Sequence, residues 1–133
     1  MGASIAVDRP LEWRETDAAG IWHDSTVIRF AEHAELLLHD RLGITERTFG
    51  KTPRAHIEYD FVAPVRFGDT VTTTFTVSRV GSTSIAYDVV LSDGPAADGG
   101  RVYARGAVIT VLTDAPGGRP ITVPDDLRAA LEG

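Results

Sequence analysis

Residues 25–42, STVIRFAEHAELLLHDRL, decide how the rest of this sequence is interpreted. Apolar side chains recur there at three- and four-residue spacing, which is the period of an amphipathic helix. No other stretch of the chain carries that period at comparable length. The pattern therefore predicts one long helix. Its buried side consists of Val27, Phe30, Ala31, Ala34, Leu37 and Leu38.

The ends of this helix are also marked in the sequence. Asp24, Ser25 or Thr26 offers a side-chain oxygen for the N-terminal cap. Gly43 follows the last turn, where a residue in the left-handed conformation often ends a helix. Residues 36–38 make the C-terminal half apolar on more than one side, so we expect deep burial there.

Alternating apolar and polar residues predict strands on both sides of the helix. Before it, residues 5–13 place Ile5, Val7, Leu11 and Trp13 on one face, and Pro10 indicates an edge or irregular strand because proline cannot donate a ladder hydrogen bond. After it, strands are predicted at about 55–62, 71–78, 85–91 and 101–113, with a loop over 93–100. Residues 125–132 predict a short terminal helix that frays.

The order of these elements favours an α+β domain with the helix against one face of an antiparallel sheet. The Thr-rich face of strand 71–78 then suits water or a partner subunit. A chain of 133 residues fits one domain spanning 1–133.

Composition limits the possible functions. The absence of cysteine excludes disulfides, thiolate catalysis and cysteine metal sites, and it suits a reducing cytoplasm. A net charge of -6 argues against nucleic acid as a partner. No apolar run approaches the roughly 20 residues of a membrane helix, and no signal peptide or metal motif is found. High Ala, Gly, Arg and Asp usage is typical of a GC-rich bacterial genome. We therefore expect a cytoplasmic protein without nucleic-acid, membrane or metal partners.

The segment RETDAAGIWH, residues 14–23, resembles the loop before the central helix in hotdog-fold thioesterases of the 4-hydroxybenzoyl-CoA thioesterase-like family. The helix itself, EYDFVAPVRFGDTV at 58–71, RVGSTSIAYDVVL at 79–91 and GRPITVPDDLRAAL at 118–131 fit the same family, so the resemblance covers nearly the whole chain. It implies a hotdog fold, in which an antiparallel sheet wraps around one helix. It also implies a homodimer with its sheets joined edge to edge, further pairing into tetramers, and active sites at the subunit boundary.

The resemblance implies hydrolysis of an acyl-CoA or acyl-carrier-protein thioester, and Asp17 stands at the position of the family's catalytic aspartate. A carboxylate attacks the carbonyl carbon or activates water, and free N–H groups at a helix start stabilise the oxyanion. No cofactor is expected beyond the coenzyme A of the substrate. The predicted oxyanion and substrate-binding residues are Gly20, Ile21, Trp22, His23 and Asp24, with the backbone N–H groups around His23 and Asp24 facing the carbonyl.

Each of these residues also has a simpler interpretation. Asp17 is compatible with a plain turn contact, His23 with a structural role, and Trp22 with either a core position or an acyl-pocket wall. Asp24 departs from the family, where many relatives carry His or Asn. It is predicted either to cap the helix or to raise the pKa of Asp17 through like-charge proximity.

Four further residues are considered for supporting roles. Arg66 and Arg79 either reach the phosphates of CoA or are ordinary exposed side chains at strand ends. Glu32 and Glu35 lie on the helix, and we predict that Glu32 is a structural hydrogen-bond partner. The rival functions are a hotdog dehydratase or hydratase, whose motif is not found, and an acyl-CoA-binding protein without catalysis.

Overall fold

Five strands form one antiparallel sheet, and a long helix packs against one of its faces. The computed structural model describes residues 2–133. The sheet order is β1-β3-β4-β5-β2, so β1 and β2 are its two edges. In chain order the elements are β1 (Ser4–Pro10), a 3-10 turn (Trp13–Glu15), α1 (Asp24–Arg41), α2 (Thr45–Thr48), β2 (Arg54–Phe61), β3 (Thr70–Val80), β4 (Ser84–Asp93), a second 3-10 turn (Ala96–Asp98), β5 (Arg101–Val111) and α3 (Asp125–Glu132).

The core lies between α1 and the sheet, as the helical period predicts. Most of the predicted buried side of α1 is fully enclosed, while Leu36 is 45% and Leu37 is 36% exposed. The prediction of deep burial over 36–38 is therefore wrong for two of its three residues. Successive helix positions are rotated by about 100°, so residues 36 and 37 turn away from the line that carries Ala34 and Leu38.

The two chain ends depart from the sequence prediction in opposite ways. β1 is an edge strand, as Pro10 predicts, but it ends there, and Trp13 lies in a 3-10 turn with 68% of its surface exposed. The terminal helix α3 is not frayed: Leu127 and Leu131 are buried, and the Leu131 carbonyl accepts a hydrogen bond from Ala3 N–H at 2.9 Å. This hydrogen bond and the burial of two leucines hold α3 against the start of the chain.

The Thr-rich face of the sheet and the outer edge of β2 are the parts of the sheet that do not pack against α1. On the Thr-rich face, Thr72 is buried and its hydroxyl donates to Asp8 at 2.7 Å, so the face is less open at this position than predicted. β2 pairs with β5 on one side, and its other edge pairs with no strand of residues 2–133. No helix in the same residues is long and apolar enough to cross a membrane.

Candidate active site

Residues 16–22 form a tight hairpin rather than an irregular loop. Asp17 N–H donates to the Ile21 carbonyl at 2.8 Å, Gly20 N–H donates to the Asp17 carbonyl at 3.0 Å, and Thr16 pairs with Trp22. Gly20 has a φ of +78°, in the left-handed region that favours glycine. The hairpin therefore holds Asp17 at an exposed turn directly before α1.

An ion pair fixes this hairpin to the start of α1. Arg9 binds Glu15 through two hydrogen bonds of 2.8 Å, and its guanidinium lies 3.9 Å from the centre of the Phe30 ring. Burial raises the pKa of Glu15, but the Arg9 hydrogen bonds and the Glu12 N–H outweigh it and hold this pKa below its usual range. The Glu15 carbonyl in turn accepts the Thr26 hydroxyl at 3.0 Å. The loop and helix thus form one rigid unit.

A cleft of about 570 Å³ opens between this unit and the segment that follows β2. Five of the six predicted site residues line it, and Gly20 lies at the hairpin turn behind it. The opposite wall is apolar. The lining consists of Asp17, Ile21, Trp22, His23 and Asp24 on one side and Phe61, Val62, Ala63 and Pro64 on the other.

One oxygen of the Asp17 carboxylate is hydrogen-bonded within the turn, and the other has no hydrogen-bond partner in residues 2–133. Its Oδ1 accepts the Ala19 N–H at 2.8 Å, which is the turn contact that the simpler interpretation predicts. Within residues 2–133 the carboxylate makes no other hydrogen bond. The turn contact orients the group and leaves Oδ2 without a hydrogen-bond partner in residues 2–133, in a side chain that lines the cleft, so the turn interpretation and the catalytic one are compatible.

The start of α1 differs from the prediction in its cap. His23, rather than Asp24, Ser25 or Thr26, is the N-cap residue, because its Nδ1 accepts the Ser25 N–H at 3.1 Å. The same Nδ1 lies 2.9 Å from Asp24 Oδ1. The His23 N–H donates to the Glu15 carbonyl at 2.8 Å and is not free for a substrate. Of the two amides predicted for the oxyanion, only that of Asp24 has no acceptor in the described part of the chain.

Trp22 fulfils both of its predicted interpretations. It is only 5% exposed, and its ring packs edge-on against Phe30, Phe61 and Tyr103 at centroid distances of 6.5, 6.3 and 6.1 Å. The same ring lines the cleft. A core aromatic therefore forms the rigid floor beside Asp17.

Comparison with known proteins places this fold and sequence in a family. The family model of the thioesterase-like superfamily matches residues 11–131. The chain belongs to the thioesterase-like superfamily. The predicted hotdog family, fold class and thioesterase class of enzyme are confirmed. None of the curated proteins matches the chain.

Solved structures of thioesterases share this architecture across nearly their whole length. A 1,4-dihydroxy-2-naphthoyl-CoA thioesterase from Synechocystis has 19% identity and a TM-score of 0.79, covering 96% of this chain and 94% of its own. A mutant 4-hydroxybenzoyl CoA thioesterase complexed with 4-hydroxybenzoyl CoA has 19% identity and a TM-score of 0.83, and the match covers 97% of this chain and 99% of that one. A predicted thioesterase from Bacillus stearothermophilus has 25% identity and a TM-score of 0.83, and the match covers 97% of this chain and 94% of that one.

The two arginines that were considered as ligands of the CoA phosphates, Arg66 and Arg79, lie in different parts of the structure. The backbone of Arg66 pairs with Ile21, so its exposed side chain starts beside the cleft. Arg79 lies near the end of β3 and lines a different depression together with Gly2 and Glu132. Only Arg66 is near the candidate site.

A second cavity, of about 610 Å³, was not predicted from the sequence. It lies between the C-terminal half of α1, α2 and the start of β2, and Glu35, His39 and Arg54 form part of its wall. Glu35 pairs with Arg54 at 2.6 Å, whereas Glu32 lies 3.8 Å from Arg29 on the exposed side of the helix. The structural role predicted for Glu32 thus belongs to Glu35.

One feature of the sequence could have indicated this cavity. Glu35 and His39 are four residues apart, so they share a helix face, and both adjoin the apolar line of Ala34 and Leu38. Two polar side chains next to a buried line predict a buried polar cluster. Within residues 2–133, no three His, Asp or Glu side chains come together in an arrangement that could hold a metal ion.

Proposed function

We propose that this protein hydrolyses acyl-CoA thioesters, with Asp17 as general base or nucleophile. The observation that carries the proposal is that the Asp17 carboxylate and the start of the 18-residue helix α1 line one cleft. The N–H groups at a helix start and the helix dipole favour negative charge there. That arrangement meets both demands of thioester cleavage, which are a nucleophile at the carbonyl carbon and donors at the carbonyl oxygen.

The proposed reaction consumes water and releases a carboxylic acid and a thiol. Asp17 Oδ2 either takes a proton from the attacking water, or attacks the carbonyl carbon itself to form a mixed anhydride that water then hydrolyses to the acid and free Asp17. The Asp24 N–H donates to the oxygen that becomes negative in the transition state, and the carbon–sulfur bond then breaks. The floor formed by Trp22 and the apolar wall at 61–64 hold the acyl end away from bulk water. This reaction requires no cofactor or metal.

The thiol of the substrate is proposed to be coenzyme A rather than a carrier protein. Two of the similar structures are named as thioesterases of CoA esters. Arg66 beside the cleft supplies a cation for the CoA phosphates. A single domain over 1–133 and a cytoplasmic location remain predictions that agree with this substrate.

We also propose a homodimer that forms through β2. The outer edge of β2 leaves a row of backbone donors and acceptors unpaired, and such edges associate with other strands. Ile57, Phe61 and Val62, on and just after this strand, are exposed hydrophobic residues. Joining two β2 edges satisfies the backbone groups and covers these side chains, and two such dimers can pair into a tetramer.

The test is free-thiol release from a panel of short, long and aromatic acyl-CoAs by wild type and Asp17→Asn. The asparagine keeps an oxygen for the Ala19 N–H, so the turn is preserved while the carboxylate is lost. A general base supplies about 10²–10⁴-fold, and the variant should lose turnover by that factor. The matched control is Asp98→Asn, in the remote second 3-10 turn, which should retain wild-type activity.

Three results would contradict the proposal. An Asp17→Asn variant as active as wild type excludes Asp17 as base or nucleophile. A wild type that binds acyl-CoAs without releasing thiol favours the binding-protein alternative, and turnover of a 2-enoyl-CoA to its hydrate favours the hydratase.

A further inference from the structure

We infer that His23 is a second catalytic residue, which donates a proton from its Nε2 to the sulfur of the departing thiol. This inference rests on the proposed function and deepens it. In the proposed reaction Asp17 acts at the carbonyl carbon and the Asp24 N–H acts at the carbonyl oxygen. The sulfur is the third reacting atom, and it leaves as a thiolate that needs a proton to become the thiol product.

His23 is next to the proposed oxyanion donor and lines the same cleft as Asp17. Its side chain is 57% exposed, so the ring is open to a ligand in that cleft. The oxygen and the sulfur of a thioester are bonded to the same carbon, so a carbonyl oxygen held at the Asp24 N–H places the sulfur close to the neighbouring residue. The His23 N–H donates to the Glu15 carbonyl at 2.8 Å. The imidazole therefore starts from a fixed point of the backbone beside the reacting atoms.

The second ring nitrogen, Nδ1, has a partner in each protonation state of the imidazole. When Nδ1 carries no proton, it accepts the Ser25 N–H at 3.1 Å. When the ring is positively charged, both nitrogens are donors, and Asp24 Oδ1 lies 2.9 Å from Nδ1 to accept its proton. The ring can therefore gain or lose charge without changing its position.

The other ring nitrogen, Nε2, is free for chemistry. Every hydrogen bond or ion pair of the His23 ring within residues 2–133 is made by Nδ1, with Ser25 or with Asp24. A carboxylate that accepts from one imidazole nitrogen orients the ring and stabilises its charged form, while the other nitrogen transfers the proton. The structure does not use Asp24 as the helix cap, and this contact gives its carboxylate a role in the reaction.

Capping the helix does not by itself require a histidine at this position. An N-cap side chain accepts a backbone N–H, and Ser, Thr, Asp and Asn are the residues preferred there. Histidine brings in addition a second nitrogen, and histidine is the side chain used most often as a general acid or base. An asparagine at position 23 keeps an acceptor for the Ser25 N–H and removes the proton donor. The capping role and the proposed catalytic role can therefore be separated by one substitution.

Each proton in the proposed step has an origin and a destination. The carbon–sulfur bond breaks with its electron pair on sulfur, and the proton of the charged ring moves from Nε2 to that pair and forms the thiol. The ring is then neutral and keeps the Nδ1–H that donates to Asp24. In both routes for Asp17, the water that is consumed leaves one proton on this carboxylate. That proton returns through solvent to His23, and both side chains regain their starting state.

The first test compares two thioesters of the same acid, namely the CoA ester that wild type hydrolyses best and the corresponding S-phenyl ester. An aryl thiolate is a weak base that departs without a proton, so a general acid accelerates only the CoA ester. His23→Asn should lower kcat for the CoA ester by about 10²-fold or more and change kcat for the S-phenyl ester by less than about threefold. The matched control is His33→Asn, at an exposed position on the same helix, which should retain both rates.

The pattern of loss decides the role of His23. An equal loss with both esters would assign His23 to the oxyanion or to the helix start, and unchanged rates would show that Nε2 takes no part. Either result overturns the inference and leaves the Asp17→Asn test as it stands. A wild type that releases no thiol from any CoA ester overturns the proposed function and this inference with it. His23→Ser, with another preferred N-cap residue, replaces the asparagine variant if that variant folds poorly.

The second test measures how the rate depends on the basicity of the leaving thiol, in a series of thioesters of one acid. Wild type should show a weak dependence because the sulfur is protonated as it leaves. His23→Asn should show a steep one, with the largest loss for the most basic thiol. Asp24→Asn keeps the backbone N–H of residue 24 but removes the carboxylate beside Nδ1, so its dependence should lie between the two. A wild-type slope as steep as that of His23→Asn overturns the inference.

Discussion

Acidification should destabilise this protein through one histidine inside the α1–sheet core. His39 is only 4% exposed, its Nδ1 lies 2.7 Å from the Thr48 hydroxyl, and its Nε2 lies 2.8 Å from the Tyr87 hydroxyl. A neutral imidazole satisfies both contacts with one N–H and one lone pair. Burial and the Arg54 charge lower the pKa of His39 from 6.5 to about 4.

The size of the effect follows from the two pKa values. The unfolded chain binds a proton on His39 near pH 6.5, and the folded protein does so only near pH 4. The stabilising contribution is therefore complete above about pH 6.5 and is lost as the pH falls toward 4. The full difference is worth roughly 3 kcal/mol, of which about 2 kcal/mol is lost between pH 7 and pH 5.

The assay is urea unfolding of wild type, His39→Gln and His56→Gln at pH 7 and pH 5. His56 is on β2 with a half-exposed side chain and serves as the control. Other groups also titrate: the raised pKa of Glu35 acts with the opposite sign, because the folded state then takes up the proton first. The contribution of His39 is therefore obtained by comparing how much unfolding free energy each variant loses between pH 7 and pH 5. A His39→Gln protein with the same pH dependence as wild type would refute the reasoning.

Two further substitutions test the catalytic cleft. Gly20→Ala meets no atom within 4 Å but forces a side chain onto a φ of +78°, so we expect a loss of about 1–2 kcal/mol in unfolding free energy together with lower kcat. Gly99→Ala, at a φ of +82° in a remote turn, should lose similar stability without loss of kcat, and equal activity in both variants would contradict the hairpin's role. Arg66→Ala should raise KM for an acyl-CoA but not for the matching acyl-pantetheine, while Arg79→Ala should change neither. An Arg66→Ala effect on both substrates would exclude phosphate recognition.

The elements of the fold are largely predictable because each has its own period in the sequence. The helix predicted at 25–42 is observed at Asp24–Arg41. The errors occur where a local pattern continues past a change in conformation. Leu11 and Trp13 extend the alternation of β1, yet the strand ends at Pro10 and the chain enters a 3-10 turn. Alternation over two residues does not distinguish a strand from such a turn.

The candidate site is predictable only in part, for a related reason. Residues 17–24 are contiguous, so any fold that begins a helix at 24 brings Asp17 near the helix start. The His23 backbone N–H, in contrast, is occupied by the Glu15 carbonyl. The position of that carbonyl is set by the ion pair between Glu15 and Arg9 of β1. Contacts between separate elements decide which amides remain free, and the sequence pattern does not contain them.

The same distinction explains why the reaction class is easier to infer than the second cavity. The groups proposed for bond cleavage come from one hairpin and one helix start, whose geometry is local. The residues that line the second cavity, among them Glu35, Thr45 and Arg54, come from α1, α2 and β2. Their approach to one another depends on contacts between three separate elements, which no local period in the sequence records.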